Sequence, residues 1–123
     1  MSLIKNPPSE YRAKPFWSWN GKLDREELLR QVEVLHGMGF GGFFMHSRTG
    51  LRTEYLGEEW FECVRACALK AKEFGMEAWL YDEDRWPSGT CGGEVTRERK
   101  NRLRFVSLYD TDADALACPE AAG

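Results

Sequence analysis

The sequence lacks any apolar run approaching the roughly 20 residues that a membrane-spanning helix needs. It also lacks an excess of positive charge, since its 17 basic residues are outnumbered by 20 acidic ones and the net charge is −3. This balance argues against nucleic acid as a partner. The first residues, "MSLIKNPP", lack the apolar region of a signal peptide, so we expect a cytoplasmic protein.

The spacing of the cysteines is wrong for a metal site. The four cysteines, Cys63, Cys67, Cys91 and Cys118, form no Cys-x-x-Cys pair, and no histidine lies at zinc-ligand spacing from them. We therefore predict free thiols in a reducing compartment, with Cys63 and Cys67 packing one helical turn apart.

The glycine-rich stretch "SGTCGGE" also lacks the features of a nucleotide-binding loop. No Lys-Ser/Thr pair follows the glycines, as a P-loop requires, and the dinucleotide fingerprint is absent. Its glycines instead predict a turn with positive backbone φ angles.

Apolar segments with strand-like and helix-like patterns alternate along the chain. "DREELLRQVEVLHGMG" predicts a helix with Asp24 as N-cap, Glu27 as its capping-box partner and Gly39 at its end. A second helix is predicted over residues 58–74. The predicted strands are residues 14–20, the glycine-bounded run 40–46, a third buried strand over 76–81 and a further candidate at 105–109.

This alternation is typical of parallel strands joined by helical crossovers, which defines the α/β class. We predict a lead-in over residues 1–13, a partial (β/α) barrel over 14–109 and a flexible tail over 110–123. A complete TIM-type (β/α)8 barrel needs about 250 residues, whereas 123 residues accommodate about three to four βα units. The rest of the barrel would come from further chain or from self-association.

Polar clusters follow the three predicted strands. They are Trp19–Asn20, His46–Ser47–Arg48 and Asp82–Glu83–Asp84–Arg85. Since the carboxyl ends of parallel strands meet at one edge, we expect these clusters to converge where α/β enzymes place their chemistry. His46 could equally be a core histidine with its polar atoms satisfied, and Arg48 could simply pair with a nearby acid.

The "YDEDRWPSG" segment carries the strongest candidates for chemistry. Asp82, Glu83 and Asp84 are adjacent carboxylates, and close carboxylates interact in the way that general acid–base catalysis exploits. A solvated loop and an all-oxygen calcium site are the alternatives, although the spacing is not that of an EF-hand. No other metal or cofactor is predicted. Nearby aromatic side chains such as Trp86 would suit the apolar face of a sugar.

The segments "KPFWSWNGKLDREELLRQVEVLHGMGFGGFFMHSRTGL" and "YDEDRWPSGTCGGEV" resemble the start of the catalytic barrel of α-L-rhamnosidase-like, family 106-type glycoside hydrolases. The resemblance covers residues 14–98 and implies hydrolysis of a glycosidic bond by carboxylates at the barrel rim. It implies catalytic roles among Asp82, Glu83 and Asp84. The residues that match the rim motifs, and are expected to bind substrate, are Trp19, Asn20, His46, Arg48, Tyr81, Arg85 and Trp86.

Hydrolysis normally uses two carboxylates from different strands, and the later strands of such a barrel are absent from this sequence. We therefore expect the chain alone to be inactive, with a carbohydrate as its ligand and either a second copy or the rest of a barrel as its partner. A non-catalytic carbohydrate-binding remnant and a structural or assembly subunit are the alternative functions.

Overall fold

The computed structural model describes residues 5–82, 84, 89–102, 104, 108, 110 and 111. Within them a three-stranded parallel sheet is combined with three helices. In chain order these elements are β1 (Phe16–Trp19), α1 (Arg25–Gly37), β2 (Gly42–Ser47), α2 (Glu58–Glu73), β3 (Glu77–Leu80) and α3 (Glu94–Arg97). Short 3₁₀ turns occur at Ser9–Tyr11, Cys91–Gly93 and Arg99–Asn101. No helix in this part of the chain is long and apolar enough to cross a membrane.

Helix α1 begins at the predicted cap. The Asp24 carboxylate accepts a hydrogen bond from the Glu27 N–H at 2.8 Å, which satisfies one of the unpaired donors of the first turn. The Glu27 side chain does not complete the capping box, because it accepts hydrogen bonds from Arg30 and Gln31 instead. These bonds, Arg30 first, lower the pKa of Glu27 to about 2. After the helix, Gly39 adopts a φ of +87°, as predicted.

Helix α2 follows the predicted apolar stripe. Trp60, Cys67 and Ala71 are all buried, and they recur at the spacing of one helix face. Glu58 and Glu59 lie in the first turn, where the helix dipole favours negative charge. The predicted limits of the helix are confirmed to within a residue.

The sheet has the order β1-β2-β3, and both pairings are parallel. In register, Phe16 pairs with Phe44 and Phe44 with Trp79, so these three side chains share one face. The opposite face carries Trp17 and Met45 and packs against the two long helices. Each crossover joins neighbouring strands, which places the carboxyl ends of all three strands at one edge of the sheet.

The hydrophobic core lies between the sheet and helices α1 and α2. Its largest fully buried residues are Trp60, Phe43, Val32 and Cys67. Strand β2 is buried along almost its whole length, which confirms the prediction for the glycine-bounded run. The lead-in also contacts this body, since the Gly41 N–H donates to the Ala13 carbonyl at 3.0 Å.

Strand β3 is not the buried strand that its apolar sequence predicted. Trp79 and Leu80 are about half exposed, at 50% and 49%. The reason is position in the sheet, because in the described residues β3 is an edge strand with β2 as its neighbour. The predicted fourth strand at residues 105–109 and most of the predicted tail lie outside the described residues.

Candidate functional site

The carboxyl edge of the sheet collects most of the predicted site residues. The chain leaves β1 at Asn20, β2 at Arg48 and β3 at Tyr81. The residues at and near these three strand ends form two groups. One is an aromatic triad on the sheet face away from the helices, and the other lines a cavity beside the loop that follows β2.

The aromatic triad consists of Phe16, His46 and Tyr81. The His46 ring lies 4.4 Å from that of Phe16 and 4.5 Å from that of Tyr81, measured between centroids, and the two outer rings are 5.2 Å apart. His46 is only 1% exposed, so its imidazole is enclosed rather than displayed at the rim. A ligand would reach Phe16, which is 47% exposed, before it reached the histidine.

Trp19 lies apart from both groups. It points to the helix face of the sheet, where its ring is 5.5 Å from Trp17 and 6.4 Å from Trp60, and it is 2% exposed. Its indole Nε1 is buried and has no hydrogen-bond acceptor among the described residues. A ring in this position packs the core, and the binding of substrate by Trp19 stays a prediction.

The second group lines a cavity of about 370 Å³, which we call the edge cavity. This volume lies within the range of small-ligand pockets, about 300–1,000 Å³. Its wall is formed on one side by the loop of residues 48–55 and on the other by Asp84 and the turn of residues 91–94. Arg48 and Asp84, which follow different strands, therefore meet at one cavity as the sequence predicted.

The loop wall is held by backbone hydrogen bonds to the segment after β1. The Arg48 N–H donates to the Trp19 carbonyl at 3.1 Å, and the Arg52 N–H donates to the Gly21 carbonyl at 3.0 Å. The hydroxyl of the buried Thr53 accepts from the Leu23 N–H at 2.9 Å. These bonds fix the loop backbone from which the side chains of the cavity wall extend, without the help of a ligand.

One glycine makes the close packing of this loop possible. Gly50 has a φ of +101°, and a Cβ at this position would lie 2.8 Å from the Asn20 carbonyl oxygen. A larger residue would push the loop away from the end of β1. Asn20 thus contributes its backbone to the site, while its side chain lies exposed to solvent.

Asp84 is the best-buried carboxylate of the cavity, at 8% exposure. Its Oδ1 accepts the Gly92 N–H at 3.0 Å. Cys91, Gly92 and Gly93 all have positive φ angles, which confirms the turn predicted from "SGTCGGE". Backbone of this kind turns N–H groups toward an anion, and here that anion is the Asp84 carboxylate. Asp84 therefore ties the turn to the end of β3.

The remaining predicted residues are divided between solvent and the undescribed part of the chain. Asp82 is exposed and does not line the edge cavity. Glu83, Arg85 and Trp86 lie outside the described residues. Among the residues that are described, no three His, Cys, Asp or Glu side chains are grouped to hold a metal ion.

Two cavity residues were missed by sequence reasoning. Arg52 and Tyr55 line the edge cavity, yet they fall in a stretch that reads only as a polar loop. Their position in the sequence could have identified them, because a loop that follows a parallel strand lies at the carboxyl edge of the sheet. Tyr55 is further fixed by its contact with Trp60, at 5.4 Å between ring centroids.

The described cysteines are free thiols, as predicted, and burial should separate their reactivity. Burial raises the pKa of Cys67 to about 12 and also raises that of Cys63. A raised pKa leaves little reactive thiolate near pH 8. We expect iodoacetamide to modify Cys67 at least about tenfold more slowly than the half-buried Cys91 in native protein, as measured by peptide mass mapping. Unfolding in guanidinium chloride should remove the difference, and equal native rates would contradict the burial of Cys67.

Comparison with known proteins assigns no family to this site. A scan against protein-family models found no match, and a search of curated proteins likewise found none. The function of the chain is therefore inferred from its residues and their geometry.

Proposed function

We propose that this chain is the amino-terminal part of a (β/α)8-type barrel of a glycoside hydrolase, and that its carboxyl edge binds part of the carbohydrate substrate. The observation that carries the proposal is the edge cavity, where Arg48 from the end of β2 meets Asp84 from the end of β3. Sites built from the carboxyl ends of several parallel strands are the usual arrangement in such barrels. The motif resemblance of residues 14–98 supports the same assignment.

The uncovered face of the sheet supports the barrel. Parallel sheets are normally buried on both faces, yet Phe16 and Trp79 are about half exposed on the face away from helices α1 and α2. In a closed barrel this face would be the packed interior. Further strands, from more of the same polypeptide or from a second copy, would cover it.

The chemistry of the cavity suits a sugar. Guanidinium groups, threonine hydroxyls and backbone N–H groups offer donors to sugar hydroxyls, while Tyr55 offers an aromatic surface at the wall. Catalysis needs a second feature, a pair of suitably separated carboxylates. Of the three acids that line the cavity, Asp84 accepts the Gly92 N–H and Glu94 pairs with Arg97, while the predicted Asp82 is exposed and does not line it. We therefore expect the second catalytic carboxylate to come from a later strand. Binding without turnover is the expected activity of this chain alone.

Titration of ¹⁵N-labelled protein with a panel of neutral and acidic oligosaccharides tests this proposal. We expect binding in the micromolar to millimolar range, with amide shifts concentrated at Arg48, Tyr55 and Gly92. A Tyr55→Ala variant should weaken binding by about tenfold, which is the lower end of the roughly 1–3 kcal/mol that a nucleic-acid base gains by stacking on one aromatic ring. Leu69→Ala is the matched control, because Leu69 is 59% exposed on α2 and does not line the cavity.

Two results would contradict the proposal. If no saccharide changes any amide chemical shift, the proposal of a carbohydrate-binding site is wrong. Robust hydrolysis of aryl glycosides, lost in Asp82→Asn, would show that the chain is catalytically complete without further strands.

A structural or assembly role is the second candidate, favoured by the exposed Phe16, Trp79 and Leu80. Sedimentation equilibrium distinguishes it, since a stable dimer that binds no sugar would favour assembly over carbohydrate binding. A cytoplasmic location remains part of both proposals.

A further inference from the structure

We infer that the edge cavity recognises an acidic sugar, whose carboxylate is bound by Arg48 and Arg52. The inference rests on the proposed carbohydrate function and names the substrate class of the same site. It begins from the position of two arginines, which lie four residues apart on one loop and both line the cavity.

These two arginines have no anionic partner within the described residues. The ion pairs found there involve other cations, including Lys14, Lys22, Arg30, Lys70, Arg97 and Lys100. Arg30 and Arg97 show the usual alternative, in which a surface arginine pairs with a glutamate three residues away. Arg48 and Arg52 instead keep their donors available at a cavity.

Among the described residues, no acidic side chain of the cavity forms an ion pair with either arginine. The Asp84 carboxylate already accepts the Gly92 N–H, and Glu94 is paired with Arg97. Glu54 is the third acid of the wall. Around the cavity the charges of Arg48 and Arg52 equal those of Asp84 and Glu54, with Glu94 balanced by Arg97, so the acidic preference depends on the unpaired guanidinium donors rather than on excess positive charge.

The loop also holds the two arginines in place. Their backbone N–H groups are bonded to Trp19 and Gly21, and the Leu51 N–H closes a turn onto the Arg48 carbonyl at 2.9 Å. A fixed backbone lowers the entropy lost when a side chain orders around a ligand. Guanidinium groups match the two oxygens of a carboxylate in a planar, bidentate arrangement, which lysine cannot reproduce. A uronic-acid residue carries this carboxylate on a ring of a size that the cavity admits.

Trigalacturonate and its fully methyl-esterified form provide the test, because they share one sugar skeleton and differ in charge. By isothermal titration calorimetry at low salt, we expect the acid to bind at least about tenfold more tightly than the ester, and added salt to reduce the difference. Arg48→Gln and Arg52→Gln should each abolish most of this preference. Arg65→Gln, which changes an exposed arginine on α2 outside the cavity, should retain it.

The outcomes separate this inference from the proposed function. Equal binding of acid and ester would overturn the acidic preference while leaving carbohydrate binding intact. Binding of neither, nor of any neutral oligosaccharide, would overturn both. An acidic preference that persists in both arginine variants, with far-UV circular dichroism unchanged, would also overturn the assignment of Arg48 and Arg52.

Discussion

A Trp60→Ala variant is expected to lose about 3–5 kcal/mol of its free energy of unfolding. Trp60 is 1% exposed, and its ring lies between those of Trp19 and Tyr55 at centroid distances of 6.4 and 5.4 Å. Its indole Nε1 also donates to the Ser47 Oγ at 2.8 Å. The substitution therefore leaves a large cavity and removes the partner of a buried hydroxyl.

Urea denaturation followed by far-UV circular dichroism measures this loss without relying on tryptophan fluorescence. A domain of this size has a total stability on the order of 5–15 kcal/mol, so the variant should be marginally folded at best. Trp60→Phe keeps an aromatic ring while removing the hydrogen bond, and it should lose less. Leu69→Ala on the exposed face of the same helix should change stability by under about 1 kcal/mol. A loss below about 1 kcal/mol for Trp60→Ala would show that this ring does not anchor the core.

The second large effect is expected at Gly42, the first residue of β2. A Cβ there would lie 2.2 Å from the Glu77 carbonyl oxygen and 3.0 Å from its carbonyl carbon. Both atoms belong to the backbone of β3, so no side-chain rotation relieves the clash. Gly42→Ala should cost about 3 kcal/mol or more, at the upper end of the range for overpacked positions. The displaced β3 should also move Tyr81 and Asp84, so saccharide binding should weaken together with stability.

Gly37→Ala provides the matched control for this glycine. Gly37 ends α1, and a Cβ at this position would contact no other atom within 4 Å. Alanine there should leave stability unchanged or raise it by about 0.5–1 kcal/mol through reduced freedom of the unfolded chain. If Gly42→Ala unfolds at the same urea concentration as the parent protein, that result would contradict the close approach of the β2 and β3 backbones at Gly42.

Sequence reasoning succeeded for features decided by a few neighbouring residues. The Asp24 cap depends on a carboxylate placed three residues before an N–H, and the helix ends depend on Gly39 and Gly75 reaching positive φ. The parallel order followed from the alternation of strand-like and helix-like segments. These preferences act over one or two turns of chain and can be recognised without knowing the fold.

It did not predict which way aromatic side chains face. "FWSW" offers large aromatics to both faces of β1, so its pattern cannot separate the core side from the open side. Pairing with β2 decided that Phe16 joins His46 and that Trp19 joins Trp60. The exposure of Trp79 likewise depended on β3 lying at the edge of the described sheet.

In "YDEDRWPSG" the carboxylate of Asp82 is exposed, whereas that of Asp84 holds the turn at Gly92. By itself, the sequence determined the α/β order, the caps and the edge where polar residues would gather, because each depends on local spacing. The tertiary structure alone decided that Arg52 and Tyr55 share a cavity with Asp84. The cavity wall joins residues about 30 positions apart, and only the packing of two loops beside the parallel sheet brings them together.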